Sequence, residues 1–244
     1  QAPVWGFGRT LQVEHPEFAC ICVDIESGSD GYQKLLEELL SSDGENQVAY
    51  RSGERHVARL SHAQFAASES SELRLDASAS YLVTGGLGAL GLEVAQFLVA
   101  SGAKHLLLTG RSGVATAGQK AAISRLEDSG AHVVVVPADV SSAADVARVL
   151  NSVSAPLRGI VHAAGVLDDG MITQQSADRF DLVAGPKVGG AWQLHSQTLE
   201  HQLDFFVLFS SVASVMGSAG QSNYAAANAF MDALAHYRRQ SGLP

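Results

Sequence analysis

The chain has 244 residues, 46% hydrophobic and 17% charged, which is enough apolar material for a substantial core and excludes general disorder. Its net charge of −9, with no cluster of lysine or arginine, excludes a phosphate-backbone partner, so no nucleic acid is expected. No apolar run reaches the roughly 20 residues that span a bilayer, and no basic segment followed by a hydrophobic stretch opens the chain. No membrane association is therefore expected, and the expected setting is cytoplasmic. Cys20 and Cys22 are the only cysteines. On a strand they would share one face without the geometry of a mutual disulfide, and they read as small core residues in a reducing compartment.

In chain order, residues 3–60 carry a pattern of their own: an apolar stretch 5–13, an expected strand 18–25, a short helix 32–40, a polar loop 41–47, and strand-like runs 48–51 and 56–60 about the Ser52-Gly53-Glu54 turn. No phosphate loop or catalytic cluster falls here, and so small an inventory makes a poor independent core, so the segment reads as structural and docked on the larger C-terminal part of the chain. Residues 61–80 are rich in serine and alanine and lack sustained periodicity, which suits a linker. The expected organisation is a structural subdomain with its linker over 1–75 and a cofactor-binding subdomain over 76–244.

From residue 81 strands and helices alternate: strand 81–84, helix 88–100, strand 105–109, helix 117–129 closed by Gly130, strand 132–137, helix 143–151, strand 159–163, helix 178–198, strand 203–210 and a last helix holding 224–239. Such alternation predicts an α/β fold, a doubly wound parallel sheet with helices on both faces and strand order 3-2-1-4-5.

The stretch 81–91, Tyr-Leu-Val-Thr-Gly-Gly-Leu-Gly-Ala-Leu-Gly, reads as strand, tight turn and helix start. Gly86, Gly88 and Gly91 let the backbone bend sharply and approach a pyrophosphate, whose charge the free N–H groups of a helix start would meet. Alone, the pattern fits equally a loop joining two packed elements. The next strand, however, ends in Gly110-Arg111-Ser112, where a dinucleotide fold meets the adenosine ribose. A guanidinium there can pair with a 2′-phosphate, so Arg111 favours NADPH over NADH.

Four side chains gather chemistry near the ends of the fourth and fifth strands: Ser211 after an apolar run, Tyr224 a short loop later, Asn228 on the same helical face as Tyr224, and Lys187 from the preceding helix. Reduction of a carbonyl needs a proton donor and a partner for the developing alkoxide. A tyrosine supplies the proton if a cation favours its phenolate. Lys187 offers that charge, Ser211 a hydrogen bond to the carbonyl oxygen, and Asn228 a site for a water in the proton relay.

Taken together, Thr84-Gly-Gly-Leu-Gly-Ala-Leu-Gly91, Gly110-Arg-Ser112, Ala138-Asp-Val140, His162-Ala-Ala-Gly165, Lys187, Ser210-Ser211 and Tyr224-Ala-Ala-Ala-Asn228 resemble the ketoreductase domain of a modular polyketide synthase, a complex short-chain dehydrogenase/reductase with a Rossmann-like fold. The likeness covers about 79–242, and Val4-Trp-Gly-Phe-Gly-Arg-Thr-Leu with Glu14-His-Pro-Glu17 resembles the end of that family's noncatalytic structural subdomain. The resemblance implies a catalytic tetrad of Lys187, Ser211, Tyr224 and Asn228, with the lysine and asparagine exchanged relative to most short-chain dehydrogenases. It implies a nicotinamide cofactor held by Thr84, Gly85, Gly86, Leu87, Gly88, Gly91, Arg111, Ser112, Asp139, Val140, His162, Ala163, Ala164, Gly165, Lys187 and Tyr224, and no metal. Asp139 would touch the adenine.

Leu167-Asp168-Asp169 matches the family's B-type fingerprint, which implies a D-configured 3-hydroxyl. Met216 stands where the A-type form has tryptophan, and Ala226 where an epimerising form has proline, which favours B1-type. The implied substrate is a β-ketoacyl chain on the phosphopantetheine arm of an acyl carrier protein, with neighbouring synthase domains as partners. Beyond Gly242-Leu243-Pro244 the family continues into a further strand and a lid. Two rival readings are a reductively silent scaffold within a synthase and a free-standing dehydrogenase for small alcohols.

Overall fold

The fold is described by a computed structural model, which describes residues 1–26, 30–41, 43–63 and 73–244. Part of the expected linker, residues 64–72, lies outside the described residues. No helix among the described residues is long and apolar enough to cross a membrane.

The larger sheet has five parallel strands, β4 (Ser80–Thr84), β5 (His105–Gly110), β6 (His132–Pro137), β7 (Leu157–His162) and β8 (Phe205–Leu208), in the order β6-β5-β4-β7-β8. That is the expected 3-2-1-4-5 arrangement. Each crossover carries helix: α3 (Ala89–Ala100), α4 (Ala117–Asp128), α5 (Ala143–Asn151), and the pair α6 (Ala177–Ala184) and α7 (Gly190–Gln197). Successive strand residues face opposite sides, so the sheet is apolar on both. Tyr81, Val83, Leu106 and Leu108 pack with Ala95, Leu98 and Leu126 of α3 and α4, while Leu82, Leu107 and Ile160 pack with Val146, Val149 and Leu194 of α5 and α7. A short helix α8 (Ala213–Met216) and the long α9 (Ser222–Gln240) follow β8, and Met231 and Leu234 of α9 close on Ala191 of α7.

The N-terminal segment forms α1 (Ala2–Glu14), β1 (Cys22–Asp24), α2 (Gly31–Leu40), β2 (Gln47–Arg51) and β3 (Glu54–Val57). The β1–β2 pair is parallel and β2–β3 antiparallel. Ser52 and Gly53, at φ of 51° and 82°, make the two-residue turn whose twist suits a hairpin. Extended structure begins later than the expected strand 18–25, because Pro16 opens a 3₁₀ turn and Ala19 sits at φ 45°, so the chain cannot straighten before Cys22. Both cysteines are free and partly exposed.

The stretch 5–13, whose apolar pattern specifies no single element, is helical although Gly6 and Gly8 lie inside it. Propensity argues against that choice and packing overrules it. A Cβ on Gly6 would stand 2.3 Å from the Ala225 carbonyl oxygen, and one on Gly8 2.5 Å from Cys22 Sγ. The missing side chains thus let α1 lie directly on α9, one residue from Tyr224. Gly6→Ala is expected to lower unfolding free energy by roughly 1–3 kcal/mol, as forced overpacking does. Urea denaturation measures it, and an unchanged midpoint would mean that α1 is not seated on α9.

Candidate active site

Strand order reverses between β5, β4 and β7, which opens a crevice at the carboxyl ends of these strands. The glycine turn lies there. Gly85 has φ +65°, and a Cβ on it would lie 2.8 Å from the backbone of Ala163 and Ala164. A side chain on Gly91 would meet the Gly85 carbonyl oxygen at 2.2 Å, so α3 starts directly against the turn. The Gly86 N–H donates to the Thr109 carbonyl at 3.1 Å, and Gln119 Nε2 donates to the Leu87 carbonyl at 2.9 Å, which fixes the turn to β5 and α4. A cavity of about 270 Å³ opens beside it, lined by Gly85, Arg111, Asp139, Val140, Ala164 and Gly165 among others. A roomier groove between α3 and α4, about 800 Å³, contains none of the four candidate catalytic residues.

The remaining residues of the expected cofactor set sit behind this surface. Gly86, Gly88 and Gly91 shape the turn, the Leu87 side chain joins the core, and Ser112 is exposed beside Arg111. Ala163 donates its N–H to the Thr84 carbonyl at 3.0 Å. The Asp139 carboxylate accepts from the Ser141 N–H at 2.9 Å and hydroxyl at 2.7 Å.

Thr84 and His162 differ from the expectation that their side chains face the cavity, because both are fully buried and bonded to each other. Thr84 Oγ1 lies 2.6 Å from His162 Nδ1, and His162 Nε2 lies 3.0 Å from the Pro186 carbonyl oxygen. A carbonyl only accepts, so Nε2 carries the proton and Nδ1 accepts from the threonine hydroxyl. Burial, reinforced by the Lys187 charge, pushes the imidazole down to about 4 and keeps it neutral. His162 is a strut between the glycine-turn strand and the segment carrying Lys187.

That segment is not the single helix 178–198 suggested by its pattern. Pro186 has no N–H to give the preceding turn, and between α6 and α7 the chain widens into a π turn, Gly185–Gly189, with the Gly190 N–H bonded to the Gly185 carbonyl. The widening turns Lys187 inward, where it is 5% exposed. Its Nζ donates to Asn228 Oδ1 at 3.0 Å and to the Phe209 carbonyl at 3.2 Å, and stands 4.9 Å from the centre of the Tyr224 ring. A Cβ on Gly165 would come within 3.0 Å of Lys187 Cε, so the lysine stem borders the cavity. Burial lowers the ammonium to about 8, with the Asp232 charge opposing the shift.

Tyr224 and Asn228 share one face of α9, and Asn228 Nδ2 donates to the Tyr224 carbonyl at 2.8 Å. Ser211 sits just past β8, its Oγ accepting from the Ala213 N–H at 3.2 Å. The structure thus joins Lys187, Tyr224 and Asn228 directly and sets Ser211 two residues from the carbonyl that holds the lysine. Asp168 and Asp169 lie on the loop after β7. Arg179 grips Asp168 through both carboxylate oxygens, at 2.9 and 2.8 Å, and this hydrogen bonding holds the carboxyl below its ordinary range.

Three residues escaped the sequence reading. Asn223, fully buried, donates to the Asp168 carbonyl at 2.9 Å and accepts from the Tyr224 N–H at 2.7 Å. Asp232 faces Lys187 and accepts from Ser214 at 2.5 Å, and its spacing of four from Asn228 was the signal that placed it on this face. Glu14 reaches the site from α1, with no local signal at all.

Among known proteins, a family model described as KR domain matches residues 79–244, and one described as polyketide synthase extender module SpnB, Rossmann fold domain, matches residues 1–60. Polyketide synthase GfsB of Streptomyces halstedii is 42% identical over 247 aligned residues, covering 100% of this chain and 4% of that protein. The spectinabilin polyketide synthase system protein NorB of Streptomyces orinoci is 51% identical over 173 residues, 69% of this chain and 8% of that protein. A solved structure of A-type ketoreductases from a modular polyketide synthase superposes with a TM-score of 0.92 at 37% identity, covering 99% of this chain and 52% of that one. The first ketoreductase of the tylosin synthase gives 0.86 at 38%, covering 100% and 52%. The chain therefore spans about half of the solved ketoreductases and under a tenth of these two synthases.

The His162 strut has a pH signature. Between pH 6.5 and 4 an unfolded chain takes up a proton at this site that the folded chain refuses, so the site costs stability as pH falls through that window, by about 3 kcal/mol in full, and nothing above it. His162→Gln is expected to be less stable than the parent at pH 7 and to lose less on acidification. Urea unfolding at pH 7, 5.5 and 4.5 checks this, and parallel losses in the two proteins would exclude it.

Proposed function

The chain belongs to the KR domain family of modular polyketide synthases, and from that premise we propose that it reduces the β-keto group of an acyl thioester, held on the phosphopantetheine arm of an acyl carrier protein, to a D-configured 3-hydroxyacyl thioester with NADPH. The observation that carries the reading is one contact set: a buried ammonium bonded to Asn228, lying against the Tyr224 ring and bordering a glycine-lined cavity.

The residues present suit the cofactor. Side chains at Gly85 or Gly91 would fill the turn, the start of α3 presents N–H groups to a pyrophosphate, and Arg111 at the cavity offers a guanidinium to a 2′-phosphate. Asp139 and Val140 would flank the adenine, and Ala164 and Gly165 the nicotinamide half. When bound, the reduced nicotinamide supplies hydride to C3 of the substrate. Tyr224 gives its phenolic proton to the oxygen that becomes the alcohol, Ser211 donates a hydrogen bond to that oxygen, and the Lys187 charge stabilises the negative charge left on the phenol. Asn228 holds the lysine in place and orders the path by which the phenol regains its proton.

Leu167-Asp168-Asp169 supports the D configuration, since the loop bearing it is tied to the first turn of α9 by Asn223. Two of the similar solved structures are described as A-type and A1-type. At 37% identity a backbone likeness carries the fold, whereas the side from which substrate approaches depends on individual residues such as Met216. Residues 1–75 would form the structural subdomain and linker, and 76–244 the catalytic one.

With an intact ketoreductase, NADPH and a short β-ketoacyl thioester, turnover is expected to fall by at least about 10²-fold in Tyr224→Phe with NADPH affinity retained. Turnover unaffected by the change, or an L-configured alcohol on chiral analysis, would refute the corresponding part of the assignment. Because Lys187 loses its charge as pH rises through about 8, kcat is expected to decline above that value. A pH–rate profile flat to about pH 10 would remove the lysine from the proposed role.

A further inference from the structure

Helix α1 lies outside the residues matched by the KR family model, yet one of its faces is bonded along the whole segment between Ser211 and Tyr224. Arg9 Nη1 donates to the Ser214 carbonyl at 2.5 Å, and Thr10 Oγ1 accepts from the Ser218 N–H at 3.4 Å. Gly217, at φ +72°, passes so close that a Cβ would stand 2.5 Å from the Arg9 carbonyl oxygen. One turn beyond Thr10 comes Glu14. Its Oε1 accepts from the Gly220 N–H at 2.8 Å and its Oε2 from the Ile172 N–H at 2.7 Å.

These two amides belong to different loops. Gly220 precedes the helix of Tyr224, and Ile172 lies just after Asp168-Asp169. Further bonds join the same loops, from the Gly170 N–H to the Gly220 carbonyl at 2.7 Å and from Gln221 Nε2 to Asp169 Oδ2 at 3.1 Å. Glu14 itself stands in the last turn of α1, where the helix dipole disfavours a carboxylate. Its charge serves the loops and not its own helix, and bonds from N–H groups to an ionised acceptor are the stronger kind.

Building on the function proposed above, we propose that Glu14 is a positioning residue, a carboxylate clamp from outside the catalytic subdomain that fixes the Asp168–Asp169 loop against the Tyr224 loop and so sets the direction in which the β-ketoacyl chain lies. The clamp makes the stereochemical outcome depend on α1. A carboxylate accepts from two N–H groups at once, whereas an amide has one acceptor oxygen and an NH₂ that opposes the second donor. Glu14→Gln is therefore the discriminating change, and Glu14→Ala, which removes both bonds, is its companion.

The test uses the intact ketoreductase with its N-terminal segment. Hydrogen exchange without substrate is expected to rise at least about tenfold at residues 170–172 and 218–221 in both variants, with β4, β5 and the centre of α9 unchanged. In turnover with a β-ketoacyl thioester, KM is expected to rise several-fold and the minor alcohol enantiomer to increase, while NADPH affinity stays at the parent value. Unaltered exchange at the two loops, or an increase spread over the whole sheet, overturns the clamp. Local opening with KM and enantiomer ratio unchanged overturns its role in positioning. If the parent itself fails to reduce the thioester, the proposed function falls, and the exchange measurement still decides whether Glu14 joins the loops.

Discussion

The Lys187 ammonium lies out of water among the Asn228 amide oxygen, the Phe209 carbonyl and the Tyr224 ring. Removing such a charge from solvent is costly unless acceptors meet it, and here the acceptors come from α9 and from the end of β8, elements that meet only in the finished fold. The depressed ammonium records the remaining cost, which the Asp232 charge offsets in part. Each neighbouring feature of the site serves to keep this cation where it is. The π turn aims it inward, His162 holds the Pro186 carbonyl beside it, and Gly165 leaves room for its stem.

A second constraint acts from the other side. The parallel sheet, apolar on both faces, makes a rigid floor, but the loops at its carboxyl edge have no ladder of their own. Those loops are held by α1, which can approach α9 closely only because Gly6 lacks a side chain. The N-terminal helix thus belongs structurally to the site although its sequence contains nothing of the chemistry. Asn223 and Arg179 complete the bracing by tying the Asp168 loop to α9 and α6.

Much of this was legible in the residues because it is local. Alternating apolar strands and helical stretches marked all five strands of the larger sheet, the turn of glycines marked the crevice, and Tyr224 with Asn228 at a spacing of four marked one helical face. The less legible parts were those where distant packing overrules local preference. Two glycines made 5–13 a poor helix on propensity, and only the closeness of Ala225 and Cys22 explains why it forms. The pattern of 178–198 gave one helix, and the π turn inside it arises from Pro186 together with the burial of Lys187. His162 stood in a stretch expected to border the cofactor, and its buried bonds to Thr84 and Pro186 gave it a bracing task.

By itself, then, the amino-acid order determined the fold class, the strand order, the crevice and the identities of the four residues proposed for the reduction, since periodicity and short spacings are properties of neighbouring residues. The tertiary structure alone decided that Lys187 is buried against the Tyr224 ring and bonded to Asn228, that Asp232 faces it, and that Glu14 spans two loops. The bonds from Lys187 to Asn228 and from the two loops to Glu14 join residues 41, 158 and 206 apart in the chain. Contacts at such separations arise from packing of the whole molecule, and no local pattern encodes them.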